Sequence, residues 1–145
     1  MREQREVVMG MIMLAPSEQD HAQRVRSHIQ SVRDAIIVDV TVLSSMSTIR
    51  DATYILGKTG CNYIAVFDGA ELVGMLSRLQ LEEYAKGQYR RPSKSLLRDV
   101  MSPIPLRARI YDRLVTVREA MIQRGLSWLP ILDEKGKLAG VLLPS

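Results

Sequence analysis

Two stretches of the chain, GCNYIAVFDGAELVGML at 60–76 and GLSWLPILDEKGKLAGVL at 125–142, follow one plan. Each leaves a glycine, runs through β-branched and aliphatic residues, turns, and returns through a second apolar run. The turns, Asp68-Gly69-Ala70 and Asp133-Glu134-Lys135-Gly136, carry residue types that tight hairpins need. The pattern predicts strand pairs over 63–67 with 71–76 and over 128–132 with 137–142.

Toward the N-terminus the likeness extends without a gap, so that 32–68 matches 97–133 at a constant shift of 65 residues. Arg33/Arg98, Asp34/Asp99, Gly60/Gly125 and Asp68/Asp133 are identical pairs; one extra residue in the second turn moves the register to 66 and brings Leu72/Leu138, Gly74/Gly140 and Leu76/Leu142 into line. Ile49, Ala52, Ile55 and Leu56 in the first copy, and Leu114, Val117, Ala120 and Met121 in the second, have the spacing of one helix face. Ser47 and Asp112 are the candidate N-caps, and Gly60 and Gly125 stand where a left-handed C-terminal residue is wanted. Apolar runs at 36–43 and 104–110 predict a strand opening each copy.

A further helix is signalled over 77–86, with Gly87 as its stop, and the second copy ends at Pro144-Ser145 before its counterpart. A unit of strand, helix, strand, strand cannot cover both faces of its own small sheet, so the two copies are expected to pack face to face. The fold class expected is α+β: two tandem β-α-β-β(-α) repeats and an N-terminal helix. The division reads as a helical segment at 1–31, a first repeat at 32–87, a linker at 88–96, and a second repeat at 97–145 lacking its final helix. Ser17-Glu18-Gln19-Asp20 opens the N-terminal helix. Its stripe of Ala22, Val25, Ile29 and Val32 is expected to cover the surface left open by the missing helix.

Composition fits a globular chain: 145 residues, 46% hydrophobic and 25% charged, with few aromatics and an aliphatic core. Cys61 is the single cysteine, which excludes an intramolecular disulfide and suits a reducing, cytoplasmic setting. The apolar run at 7–15 falls far short of the roughly 20 residues that span a bilayer. Glu3 and Glu6 beside Arg2 and Arg5 spoil the positive start of a secretory leader. The net charge of +4 invites a nucleic-acid reading, but the excess gathers in a connector, Lys86, Arg90, Arg91, Lys94 and Arg98. Only Tyr84 and Tyr89 accompany it, so a solvated linker is the expectation and nucleic acid is not a predicted partner.

The repeated plan resembles the tandem CBS-domain proteins, whose module is named after cystathionine β-synthase. The stretches that carry the resemblance are Arg98-Asp99-Val100-Met101-Ser102-Pro103, then Arg124-Gly125-Leu126-Ser127-Trp128-Leu129-Pro130-Ile131-Leu132-Asp133, and finally Lys135-Gly136-Lys137-Leu138-Ala139-Gly140-Val141-Leu142. The first copy matches more loosely, with Ala65 in place of proline. The resemblance implies a non-catalytic regulatory module that needs no cofactor for chemistry. It would bind an adenosine compound (AMP, ADP, ATP, NAD or S-adenosylmethionine) between its halves, form a homodimer, and signal to a regulated enzyme or transporter. The alternative is a ligand-free dimerisation or scaffold unit that has lost its pocket.

Residue by residue, the resemblance carries the ligand motif G-h-h-[ST]-x-x-D onto Gly74-Met75-Leu76-Ser77-Arg78-Leu79-Gln80. Ser77 matches, and Gln80 stands where the family has the ribose-binding Asp. In the second copy the hydroxyl position is Leu143, so one of the two sites is expected to be absent. Asn62 and Tyr63, with Ser127 and Trp128, would line the central cleft, Trp128 either stacking on a base or covering the junction between copies. Ser77-x-x-Gln80 is equally a capping box, which satisfies helix donors with no ligand.

Other chemistry is poorly supported. His21 and His28 lack a third metal ligand. Cys61 has no histidine to activate it, and Glu82-Glu83 do not face each other on a helix. Gly57-Lys58-Thr59 lacks the upstream glycine and strand-to-helix context of a phosphate loop.

Overall fold

Both hairpins form where the repeated pattern predicts them. The computed structural model of the chain describes residues 30–86 and 94–145. The N-terminal helix expected before Gln30 and most of the basic connector lie outside the described residues. In the first repeat, β1 (Val40–Ser44) leads to α1 (Ile49–Thr59), the hairpin β2 (Tyr63–Asp68) and β3 (Glu71–Ser77), and α2 (Arg78–Lys86). The second opens with the short helix α3 (Leu97–Val100) and β4 (Ser102–Pro103). It continues through β5 (Ala108–Arg109), α4 (Leu114–Gln123), β6 (Leu129–Leu132) and β7 (Leu138–Leu142).

Two sheets result, ordered β1-β2-β3-β4 and β5-β6-β7. In each, the first strand runs parallel to the second and the hairpin is antiparallel. The apolar face of α1 (Ile49, Ala52, Leu56) and that of α4 (Leu114, Val117, Met121) are buried, as their spacing predicts. Gly60 (φ 74°) and Gly125 (φ 67°) adopt the left-handed conformation that ends a helix without a Cβ clash.

The caps differ from expectation. Thr48, not Ser47, starts α1: its hydroxyl accepts from Asp51 N at 3.0 Å, and the Asp51 carboxylate accepts from Thr48 N at 3.2 Å. Asp112 is drawn into the turn before α4, where its carboxylate accepts from Arg109 N at 2.8 Å. Arg113 takes the cap position in its place.

The larger correction concerns the opening of each repeat, predicted as one strand and found divided between the two sheets. Ile37 is bridged to Val141 in the second repeat by a reciprocal pair of 2.9 Å bonds, and only from Val40 does the chain join β2. In the second copy, β4 pairs with Gly74 and Met75 of the first repeat, whereas β5 pairs with β6. Pro103 and Pro105, which lack an N–H, flank the break.

The exchange extends into the cores. Val32, fully buried, packs with Ile110, Leu114 and Met121 of the second repeat. Leu97, also fully buried, packs with Ile49, Leu56 and Leu81 of the first. The hydrogen bonds obey the same two-fold exchange: Val32 N to Asp112 O and Arg33 N to Ile110 O mirror Leu97 N to Ser47 O and Arg98 N to Ser45 O. Burying each anchor is worth about 1.5–3 kcal/mol, most of it gained against the other repeat. Between the sheets, Ala65 and Leu72 meet Leu132, and Met75 meets Trp128 and Val141, which realises the face-to-face packing.

Among the described residues no helix is long and apolar enough to cross a membrane. Asp133 closes the β6–β7 turn by accepting from Lys135 N and Lys137 N at 2.8 and 2.9 Å. The Lys137 amide leads in holding its carboxyl below the usual 3.8, assisted by the Lys135 amide and the two lysine charges against a desolvation effect of opposite sign.

Candidate functional site

Strand register decides which of the candidate residues share a surface. Val40, Tyr63 and Ser77 are partners in one row across β1, β2 and β3. Side chains alternate along a strand. Ile64 and Leu76 enter the core of their own repeat, whereas Ala65 and Met75 enter the clusters shared with the other repeat. Tyr63 and Ser77 therefore belong to the face turned toward the second repeat.

At the start of α2 the Ser77 hydroxyl accepts from Gln80 N at 3.1 Å, and Gln80 Oε1 accepts from Ser77 N at 2.9 Å. Ser77 Oγ also donates to Gln80 Oε1 at 3.2 Å. This is the reciprocal capping box, and it engages the amide oxygen. What Gln80 has left to offer is its NH2, a donor where a carboxylate would be an acceptor.

One step past the row, a second set of polar groups closes the sheet end. Asn62 donates from its backbone N and its Nδ2 to the two carboxylate oxygens of Asp39, both at 3.0 Å. Asn62 O accepts from Arg78 N at 2.8 Å. The Arg78 guanidinium donates to Cys61 O at 2.7 and 3.1 Å and to Leu56 O at 2.8 Å, placing a cation at the C-terminal end of α1, where the helix dipole favours it.

Tyr63 and Trp128, equivalent positions of the two repeats, lie ring to ring with centroids 4.7 Å apart and planes tilted by 39°. Trp128 is 4% exposed and packs among Met75, Val141, Ile104 and Leu143. An incoming base would have to displace Tyr63 to stack on it. Ser127, just ahead of β6, is exposed.

Residues 97–144 match the family model of the CBS domain. Solved CBS-domain pairs superpose on the chain across both repeats. CBSX2 of Arabidopsis thaliana, solved in complex with AMP, aligns over 79% of this chain and 90% of its own at 24% identity and a TM-score of 0.61. The chain folds as a CBS-domain pair. The CBS pair of protein MJ0100, in complex with 5′-methylthioadenosine and S-adenosyl-L-methionine, aligns over 80% and 90% at 20% identity with a TM-score of 0.63. The CBS domain of a CBS-domain-containing membrane protein from Sphaerobacter thermophilus aligns over 89% and 93% at 16% and a TM-score of 0.67.

Within this fold the candidates fall into two unequal groups. Ser77, Gln80, Asn62 and Tyr63 gather at one end of the first repeat's sheet, and only Trp128 joins them across the junction. Asp39 and Arg78, which the sequence reading passed over, complete the group. The alignment held the signal: the counterparts of Asp39, Asn62, Ser77 and Arg78 are Ile104, Ser127, Leu143 and Pro144. Polar groups stand in one copy where the other is mostly apolar. Four arginines of the second repeat have an architectural use, since Arg107, Arg109, Arg118 and Arg124 each donate to a backbone carbonyl.

Proposed function

We propose that this CBS pair is a non-catalytic regulatory module that takes an adenosine nucleotide at the polar sheet end of its first repeat and passes the occupancy to a partner protein. The observation that carries the reading is the asymmetry of the two ends. Asp39, Asn62, Ser77 and Gln80 offer donors and acceptors beside the apolar junction. A few convergent polar groups at the edge of an apolar junction suit a purine nucleoside. The complexes of CBSX2 with AMP and of MJ0100 with S-adenosyl-L-methionine support the class of ligand. In this reading the module is a cytoplasmic homodimer, its partner is an enzyme or transporter, and the second repeat, with Leu143 at the hydroxyl position, contributes no site of its own.

The test is thermal melting with AMP, ADP, ATP, NAD and S-adenosylmethionine. A true ligand raises the midpoint by the linkage RT ln(1 + [L]/Kd), and Ser77→Ala should shrink that rise. A flat response to every compound at millimolar concentration refutes the sensor reading.

A specific observation favours a second reading, a ligand-free scaffold. The Ser77–Gln80 pair is already closed on itself, and Trp128 is covered by Tyr63. A flat melting response together with a stable dimer in solution is the result this reading expects.

A further inference from the structure

We propose that the exposed face of α4 is a docking surface for the chain's own N-terminal segment: residues 17–29 lie along it as an antiparallel helix, with Ile29 on Val115 and Ala22 on Ile122. The inference is independent of whether a nucleotide binds.

An open groove of about 500 Å³ runs beside α4, lined by Gln30, Leu114, Val115, Arg118, Glu119 and Ile122. Val115 is 49% exposed and Ile122 65%. Seven residues apart on a helix, they share one face. At the corresponding positions α1 carries Arg50 and Gly57, so the apolar pair belongs to the second repeat alone.

The path of the chain names the occupant. Val32 N donates to Asp112 O at 2.9 Å, Ser31 forms an antiparallel bridge with Arg113, and Leu114 N donates to Gln30 O at 2.8 Å. Each step back toward the N-terminus is therefore one step forward along the second repeat. Consecutive Cα atoms are about 3.8 Å apart, so the chain that precedes Gln30 starts from the groove itself. Continuing the progression sets Ile29 against Val115. From there two antiparallel helices rise equally, about 10.5 Å in seven residues, which brings Ala22 to Ile122 with Val25 between them.

The segment carries what this face asks for. Ala22, Val25 and Ile29 form one apolar stripe in a helix that opens at Ser17. Arg26, next to Val25, comes within reach of Glu119, which has no ion pair among the described residues. Arg118 does not compete, because its guanidinium is turned to Leu143 O at 3.1 Å. Val32, buried against Leu114 and Met121, anchors the near end. Seated in this way, the segment closes the face of α4 to other proteins.

Maleimide labelling of the full chain in a Cys61→Ser background tests this. Ile122→Cys should react slowly, and Ile29→Asp added to it should speed the reaction roughly tenfold or more, the signature of a local opening. Tyr54→Cys, at an exposed position of α1, should react fast whether or not Ile29→Asp is present. If Ile29→Asp unfolds the whole chain by circular dichroism, Ala22→Asp, farther from the Val32 anchor, takes its place with the same expectation. An Ile122→Cys that labels as fast as Tyr54→Cys overturns the proposal, as does a rate that the aspartate leaves unchanged in a folded chain. Protection of Ile122→Cys that disappears on dilution names a second copy as the occupant and overturns it too.

Discussion

Gly74 and Gly140 are equivalent glycines, one on the hairpin of each repeat, and alanine at the two should have unequal effects. Each lies where the opening segment of the other repeat crosses. A Cβ on Gly140 would stand 2.6 Å from Ile37 O and 3.4 Å from Ile37 C and Ile36 Cβ. That oxygen is backbone, and it already accepts from Val141 N at 2.9 Å. The crossing segment must move as a unit, weakening both reciprocal bonds to Val141. Two backbone hydrogen bonds at about 1 kcal/mol each and about 1–3 kcal/mol of overpacking outweigh the ~0.5–1 kcal/mol gained by stiffening the unfolded chain. Gly140→Ala should therefore cost about 2–4 kcal/mol. At Gly74 a Cβ would meet Met101 Sδ, Cγ at 2.7 Å and Cβ at 3.1 Å, all atoms of one unbranched side chain, so that a turn about its χ1 relieves the two tighter contacts without moving backbone. Gly74→Ala should cost about 1 kcal/mol or less.

Urea unfolding of both variants beside wild type measures the difference, with equal m-values required before midpoints are compared. For a chain of this size, the larger loss corresponds to a melting point lower by roughly 5–12 °C. A Gly140→Ala variant within about 0.5 kcal/mol of wild type, or a Gly74→Ala variant that costs more, refutes the reasoning that the crossing segment is pinned by its backbone.

Leu97 opens the second repeat but is fully buried in the first repeat's core, so Leu97→Ala should cost about 2–5 kcal/mol and expose the amides of α1 and α2 to hydrogen exchange before those of α4. Ser77→Ala removes the hydroxyl that accepts from Gln80 N, and should lower stability by about 1 kcal/mol in the absence of any ligand, read by the same urea titration. The Asp133 carboxyl should titrate by NMR below 3.8, because its ionised form is bonded by the Lys137 and Lys135 amides. A folded-state value depressed in this way gives stability present above 3.8 and lost as pH falls through the folded value. Asp133→Asn should remove that part of the acid dependence; an Asp133 that titrates at or above 3.8 contradicts the turn geometry.

The hairpins, both helix stops and the apolar helix faces were legible because each is a local property. A turn needs Gly or Asp nearby, and a helix face needs only its own spacing. The opening segments were not legible for the opposite reason. The run at 36–43 is apolar throughout, and periodicity cannot show that Ile37 serves one sheet and Val40 another. The caps went wrong by the same competition, with Asp112 taken by a turn that bonds Arg109. At the site, the family resemblance singled out Ser77 and Gln80, and their spacing already offered the capping box that the structure forms. Asp39 was within reach: set against Ile104, it is a charge that the other copy does without.

The exchange of opening segments also bears on how the two repeats could respond to a ligand. Ile37 is bonded to the second repeat and Asp39, two residues on, to Asn62 of the first. There is no slack between those two points, since two residues span at most about 7 Å. A ligand that engages Asn62 or Asp39 therefore acts on the same short strap that fixes the repeats against each other. Contacts that are equal in both arrangements would shift nothing, however tight the binding. A ligand whose contacts replaced the Asp39–Asn62 bonds would release the strap at that point, and a difference of that kind is what coupling between a cleft and a distant surface requires. In the second repeat the corresponding residues are Ile104 and Ser127, with Ile104 packed into the junction, so the strap there is held by apolar contact rather than by bonds a nucleotide can exchange.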